Sequence, residues 1–201
     1  MTTLLYVATA VIGYLLGSLP TGYLVGKLWG VDVRRHGSGR TGGTNVMRAA
    51  GGLAAALTVI GDAFKGLLAV GVGAVLVGSP AAKVLAGLAA LAGHNWSIFL
   101  GWRGGAGAIT NLGVMFGFSQ TVVIGSMLVG LVALIAWRMA SAATLTMAFA
   151  AFLGFVGLAI WAGFPWVYAL YGFFATALIT IALLPNIRRI LEGTERRLEL
   201  N

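Results

Sequence analysis

Long apolar runs broken by short polar stretches set the plan of this chain. Hydropathy and the placement of basic residues predict helices over residues 2–26, 53–77, 81–100, 109–118, 121–137, 142–162 and 166–184. Turn signals separate several of them: Gly78-Ser79-Pro80, Phe118-Ser119-Gln120 and Gly163-Phe164-Pro165. The fourth run is short for a full crossing. Pro20 interrupts the first run, and the apolar residues that follow it favour a kink over an end. The expected fold is all-α: a single polytopic transmembrane bundle of seven helices over residues 1–201, some of them short. The basic residues sit at alternate ends of the runs. Lys27, Arg103, Arg138, Arg188, Arg189, Arg196 and Arg197 all fall on one face if the N-terminus is outside and the C-terminus cytoplasmic. A six-helix reading, with residues 112–137 as one span, would put Arg103 and Arg138 on opposite faces. The basic C-terminal residues are expected on a short amphipathic tail.

Composition supports the membrane class. Hydrophobic residues make up 59% of the chain and charged residues 9%, with a mean hydropathy of +0.96. Soluble chains carry roughly 25% charged residues, so this chain cannot keep a soluble surface wetted. The first run resembles a secretory signal only superficially: no Lys or Arg precedes it and basic residues follow it, so it is expected to remain as a helix. The chain has no cysteine, which excludes disulfides, thiolate catalysis and zinc–thiolate sites. The net charge of +8 points to orientation and anionic head groups rather than nucleic acid. The 31 glycines indicate close helix packing, and Gly13, Gly17, Gly22 and Gly26 are spaced to let a neighbouring backbone approach the first helix.

Three polar constellations then carry the chemistry. Residues 27–48 read KLWGVDVRRHGSGRTGGTNVMR, with four arginines among glycines and hydroxyls. Glycines let successive amides converge on an anion, and arginine offers a two-pronged phosphate contact. Thr44 or Asn45 is expected to cap the next helix, whose N-terminus favours the same anion. Residues 93–107, GHNWSIFLGWRGGAG, supply His94 and an arginine before paired glycines, without the Gly-Lys-Ser/Thr ending of a Walker loop. His94 reads first as a polar anchor within the bundle. The third constellation is Arg138 to Thr144, joined by Asn186. Asp62 and Lys65, at i and i+3, are an intramembrane charge pair, functional or structural. No His-x4-Asp arrangement follows either histidine, and no metal or other cofactor is indicated.

The stretch SGRTGGTNVMR resembles the first motif of the membrane acyl-phosphate:glycerol-3-phosphate acyltransferases, roughly SGN-x-GATN-x-x-R. GHNWSIFLGWRGGAGAITNLG resembles their second, and the early GSLPTGYLVGKLWGVDVRRHGSG and later Asp62-Ala63-Phe64-Lys65-Gly66 are similar as well. The chain is identified as a divergent member. The resemblance implies a seven-helix enzyme of the bacterial plasma membrane, its site loops cytoplasmic. Such an enzyme transfers a fatty acyl group from acyl phosphate to the 1-hydroxyl of glycerol 3-phosphate, making lysophosphatidic acid for phospholipid biosynthesis. By motif position, Ser38, Arg40, Thr44, Asn45 and Arg48 would hold phosphate in the first loop. His94, Arg103, Gly104, Gly105 and Gly107 belong to the second cradle, and Ser141 and Asn186 would close the site. The partners implied are acyl phosphate, glycerol 3-phosphate and membrane lipid, with the oligomeric state unspecified.

Departures from the pattern leave other readings open. Ala106 stands at a family lysine, Arg40 at a family asparagine, Gly43 at an alanine, Ile109 at the alanine of an Ala-Thr pair and Leu183 at a histidine. A catalytically silent paralogue that binds phospholipid or glycerol phosphate is one alternative. A small transporter of a phosphorylated metabolite is another, with only Asp62 and Lys65 as charges within the spans. Few bases are available, so no side chain is assigned as catalytic: a substrate phosphate oxygen is expected to take the hydroxyl proton.

Overall fold

Proline 20 lacks the N–H that would continue a helix, and the first apolar run divides there. The computed structural model describes residues 2–198 and, among them, holds eight α-helices, two single-turn 3-10 segments and no strand. Helix α1 (Thr2–Ser18) and helix α2 (Thr21–Leu28) flank the break, then α3 (Gly43–Leu76), α4 (Pro80–Asn95), α5 (Ala108–Phe116), α6 (Gln120–Trp137), α7 (Ala140–Ala162) and α8 (Trp166–Leu191) follow. Counting α1 and α2 as one interrupted rod gives the seven helices expected. Among the described residues, five stretches are long and apolar enough to cross a membrane: Thr2–Leu28, Gly43–Leu76, Gln120–Trp137, Ala140–Ala162 and Trp166–Leu191. Large side chains such as Ile124, Leu128, Leu131, Val132 and Ile135 on α6 are exposed on the protein surface, as lipid contact requires.

Three boundaries differ from expectation. Helix α3 starts at Gly43, not at 53, because the polar motif itself forms a short arm over 43–50. Gly51 (φ 86°, ψ 179°) joins that arm to the long apolar one, in a backbone region essentially confined to glycine. The third run ends at Asn95 instead of 100, so α4 spans 16 residues, below the ~20 that a crossing needs. It packs on α1, α3 and α5, and its C-terminal residues Gly93, His94 and Asn95 are buried there. The last helix continues through Pro185 to Leu191 and so takes in Arg188 and Arg189, leaving only Arg196 and Arg197 on the non-helical tail described after it.

The chain divides into two compact units, Met1–Gly117 and Phe118–Asn201. In the first, α1 lies along α4 and both meet α3, while α5 packs against α3. The predicted glycine face makes that contact, with Gly13 against the backbone of Ala86 and Gly17 against that of Ala90. In the second unit α7 lies between α6 and α8. Phe118, Phe155, Phe164, Tyr168 and Tyr171 form an aromatic cluster beside the turn after α7. Ser79 and Ser119 cap α4 and α6 at two of the expected turns, and Gly163 closes α7 at the third.

A Cβ at Gly17 would overlap the Ala90 carbonyl, whereas one at Gly71 meets nothing within 4 Å. Gly17→Val should therefore destabilise the protein by about 1–3 kcal/mol, lowering Tm in detergent. Gly71→Ala should leave Tm unchanged or raise it.

Candidate functional site

The break at Pro20 frees backbone carbonyls inside the first unit, and polar side chains meet them. Lys65 Nζ donates to the Leu19 carbonyl at 2.8 Å, and Ser97 Oγ donates to that of Ser18 at 2.6 Å. Lys65 is buried and so needs an anion, which Asp62 supplies at 2.8 Å, with side chains 4% and 2% exposed. Thr21 Oγ1 donates to the same Asp62 oxygen, and the His94 Nδ1 lies 3.5 Å from it. One buried carboxylate thus ties α2, α3 and α4 together.

His94 is the link to the second glycine loop. Its carbonyl accepts from Gly105 N at 3.1 Å. A Cβ on Gly104 would strike that carbonyl, and one on Gly105 would strike the imidazole Nε2. The paired glycines are required because this loop lies directly on His94. Tyr14 Oη donates to the Trp96 carbonyl at 2.8 Å and holds the loop's start to α1. The loop ends at Gly107 (φ 81°), which caps α5. Arg103 is exposed on it, and Gly107 is buried against Leu91 and Asn95.

The first loop is held by Asn45. Its Nδ2 donates to the carbonyls of Val33 at 2.9 Å and Arg40 at 2.8 Å, while its Oδ1 accepts from Ser38 N at 3.0 Å. Both amide hydrogens are therefore used within the protein. Asn45 does not cap α3, and neither does Thr44: both lie inside the first turn, and Gly42 occupies the cap with no side-chain bond. Beneath the loop, Val33, Val46 and Ala54 form an apolar plug. Asp32 binds Arg34 twice, at 2.8 and 2.9 Å, and Arg34 lies over the Tyr23 ring. The hydrogen bonds from Arg34 hold the Asp32 carboxyl well below the usual carboxylate range. Arg34 is thus engaged within the loop. Ser38, Thr44 and Arg48 are exposed, and half-buried Arg40 lies within electrostatic reach of His94. Both glycine-rich motifs consequently approach one buried group.

The remaining candidates lie in the second unit. Ser141 Oγ and Asn186 Nδ2 both donate to Glu195 Oε1, at 2.8 and 2.7 Å, and Arg189 Nε donates to Oε2 at 2.8 Å. Ser141 and Asn186 are thus brought together, with two residues that the motifs did not single out. Leu183, at the position of the family histidine, is buried one turn before Asn186. Among the described residues no three His, Asp or Glu side chains gather as a metal site.

Comparison with known proteins places this arrangement. The family described as Glycerol-3-phosphate acyltransferase matches residues 7–193. The chain belongs to the glycerol-3-phosphate acyltransferase family. A member from Moorella thermoacetica, Glycerol-3-phosphate acyltransferase 2, is 40% identical over 195 residues, covering 96% of this chain and 98% of its own. One from Symbiobacterium thermophilum is 41% identical, covering 96% and 94%. Among solved structures, the crystal structure of PlsY in its glycerol 3-phosphate form matches with a TM-score of 0.87 and 35% identity, covering 96% of each chain. Its lysophosphatidic acid form matches with a TM-score of 0.87 and 34% identity, over 96% of this chain and 95% of that one. Both are described as an integral membrane glycerol 3-phosphate acyltransferase, and this family member is likewise an integral membrane protein with transmembrane helices.

Within this family member the buried pair should behave as a coupled unit. Asp62→Asn leaves Lys65 without its anion and should cost about 3–5 kcal/mol. Asp62→Asn with Lys65→Met should be more stable than the single variant in thermal unfolding. A loss in the double variant equal to the sum of those in Asp62→Asn and Lys65→Met would show that the pair is uncoupled.

Proposed function

We propose that this protein transfers a fatty acyl group from an acyl phosphate to the 1-hydroxyl of glycerol 3-phosphate, releasing lysophosphatidic acid and inorganic phosphate. The observation that carries the reading is the match over nearly the whole chain to PlsY in its glycerol 3-phosphate form. The two glycine loops converging on His94 agree with it. The glycerol hydroxyl oxygen attacks the acyl carbonyl carbon, the carbon–oxygen bond to phosphate breaks, and phosphate leaves with the electron pair. A phosphate oxygen takes the hydroxyl proton, so no side chain is needed as a base. Positioning and charge stabilisation supply the acceleration.

The chain's residues divide into holders of phosphate and holders of loops. Ser38, Arg40, Thr44 and Arg48 present donors in the first loop, and Arg103 with the Gly104, Gly105 and Gly107 backbone presents them in the second. In the second unit, Ser141 and Asn186 present donors of their own. Asn45, its amide engaged with Val33, Arg40 and Ser38, sets the shape of the first loop. His94 supports the second loop from behind. We infer that Arg40 supplies the positive charge missing at Ala106, since its guanidinium lies within electrostatic reach of the histidine against which Gly105 packs. Residues 1–201 act as one acyltransferase module of a bacterial plasma membrane. The N-terminus lies outside and the site loops face the cytoplasm, where the basic residues concentrate.

The purified protein in detergent, given palmitoyl phosphate and labelled glycerol 3-phosphate, should make lysophosphatidic acid. Arg40→Ala should lower kcat/KM by about a hundredfold, and Ala106→Lys in that background should restore much of it. Activity in Arg40→Ala within twofold of the native chain would sink the compensation. Absence of product from the native chain with activity in Ala106→Lys would identify a silent scaffold instead.

A further inference from the structure

The described tail after α8 reverses direction and puts an acid among donors. Gly193 (φ 72°) turns the chain, and Leu198 N donates to the Arg138 carbonyl at 2.6 Å, so both sides of Glu195 are held. The Glu195 side chain is 5% exposed. Ser141, Asn186 and Arg189 all point their donors at its carboxylate. Those three donors belong to helices, near the start of α7 and the end of α8, whereas the acceptor arrives on irregular chain.

We propose that Glu195 is an intramolecular latch: its carboxylate occupies an anion seat made by Ser141, Asn186 and Arg189, and a phosphate monoester bearing a nearby hydroxyl must displace it to bind. This rests on the acyltransferase reading for the substrate's identity, but not for the existence of the seat. A phosphate dianion has three terminal oxygens for the three donors and carries more charge toward Arg189 than a carboxylate does. A second observation points to the hydroxyl. Asn186 Oδ1 is buried without a hydrogen-bond partner, at a residue 8% exposed. A buried acceptor left unmade is costly, and Glu195, being ionised, has no hydrogen to offer it. A hydroxyl two or three bonds from the phosphate would satisfy it.

The latch does not open by titration near neutrality. Burial pushes the Glu195 carboxyl up, but hydrogen bonds from Asn186, Arg189 and Ser141 outweigh that and hold it below its ordinary value of 4.5. A lowered folded-state pKa means that docking is fully present above that value and is lost as pH falls through the folded pKa. Between pH 6 and 8 only a competing anion releases the seat. Occupancy by the tail lowers the apparent affinity for that anion in proportion to the closed fraction.

The full-length protein in detergent tests this through calorimetric titration with sn-glycerol 3-phosphate, with inorganic phosphate and with glycerol. The native chain is compared with Glu195→Gln, Glu195→Ala and Glu195→Gln/Asn186→Ala, each first checked for an intact unfolding transition. Glu195→Gln keeps the side chain's shape and removes its charge. It should tighten glycerol 3-phosphate about three- to tenfold, more than inorganic phosphate, with glycerol alone not binding. In the acyl-transfer assay it should lower KM for glycerol 3-phosphate by the same factor and leave kcat unchanged. The double variant should lose the gain. Unchanged or weaker binding in folded Glu195→Gln would overturn the latch and make Glu195 a structural clasp, whether or not turnover is present. Tighter binding with no turnover in any variant would keep the latch and remove the acyltransferase reading.

Discussion

A proline inside an apolar helix is the constraint from which the first unit is built. The helical ladder breaks at Pro20, so the Ser18 and Leu19 carbonyls lie outside a continuous helix, and hydrocarbon offers no water to bond them. The protein answers with side chains: Ser97 for the Ser18 carbonyl and Lys65 for that of Leu19. Each answer imposes the next. A buried ammonium requires Asp62, the carboxylate then gathers Thr21 and His94, and His94 backs the Gly104-Gly105 turn. One break in a helix is thereby linked, contact by contact, to where a loop lies.

The first loop follows another logic, in which a single amide replaces many side-chain contacts. Asn45 connects Val33, Ser38 and Arg40, and the apolar plug of Val33, Val46 and Ala54 seats the whole. With the backbone fixed this way, the arginines separate by role. Arg34 stays paired with Asp32, Arg40 is directed toward the His94 region, and Arg48 remains exposed. A rigid frame that carries exposed Arg48 suits chemistry that depends on positioning a phosphate.

In the second unit the same preference for convergent donors appears with the chain's own carboxylate among them. Helix termini supply Ser141, Asn186 and Arg189, which are already directed at one anion before any substrate arrives. Preorganised donors of this kind lose little freedom when a ligand replaces the tail.

Much of this was legible in the residues alone. Apolar run length, Gly-Ser-Pro and Gly-Phe-Pro turns and glycine spacing determined an all-helical membrane protein, because hydrocarbon leaves the backbone few alternatives. The two glycine-rich motifs determined the family and most candidate residues. Helix ends were less legible: the arm over 43–50 looked like loop, since its polar residues hide a helix whose stability comes from Val46 packing on Val33. The choice between functional and structural roles for Asp62 and Lys65 also stayed open, because composition cannot reveal which carbonyls Pro20 leaves unsatisfied. Asn45 looked like a ligand for phosphate until its partners, 5 to 12 residues away, were visible. Glu195 carried no local signal, being one acid beside basic residues in a short tail. Only the tertiary structure decided its partners, because a convergence of α7, α8 and the returning chain depends on distances in space that spacing along the sequence does not encode.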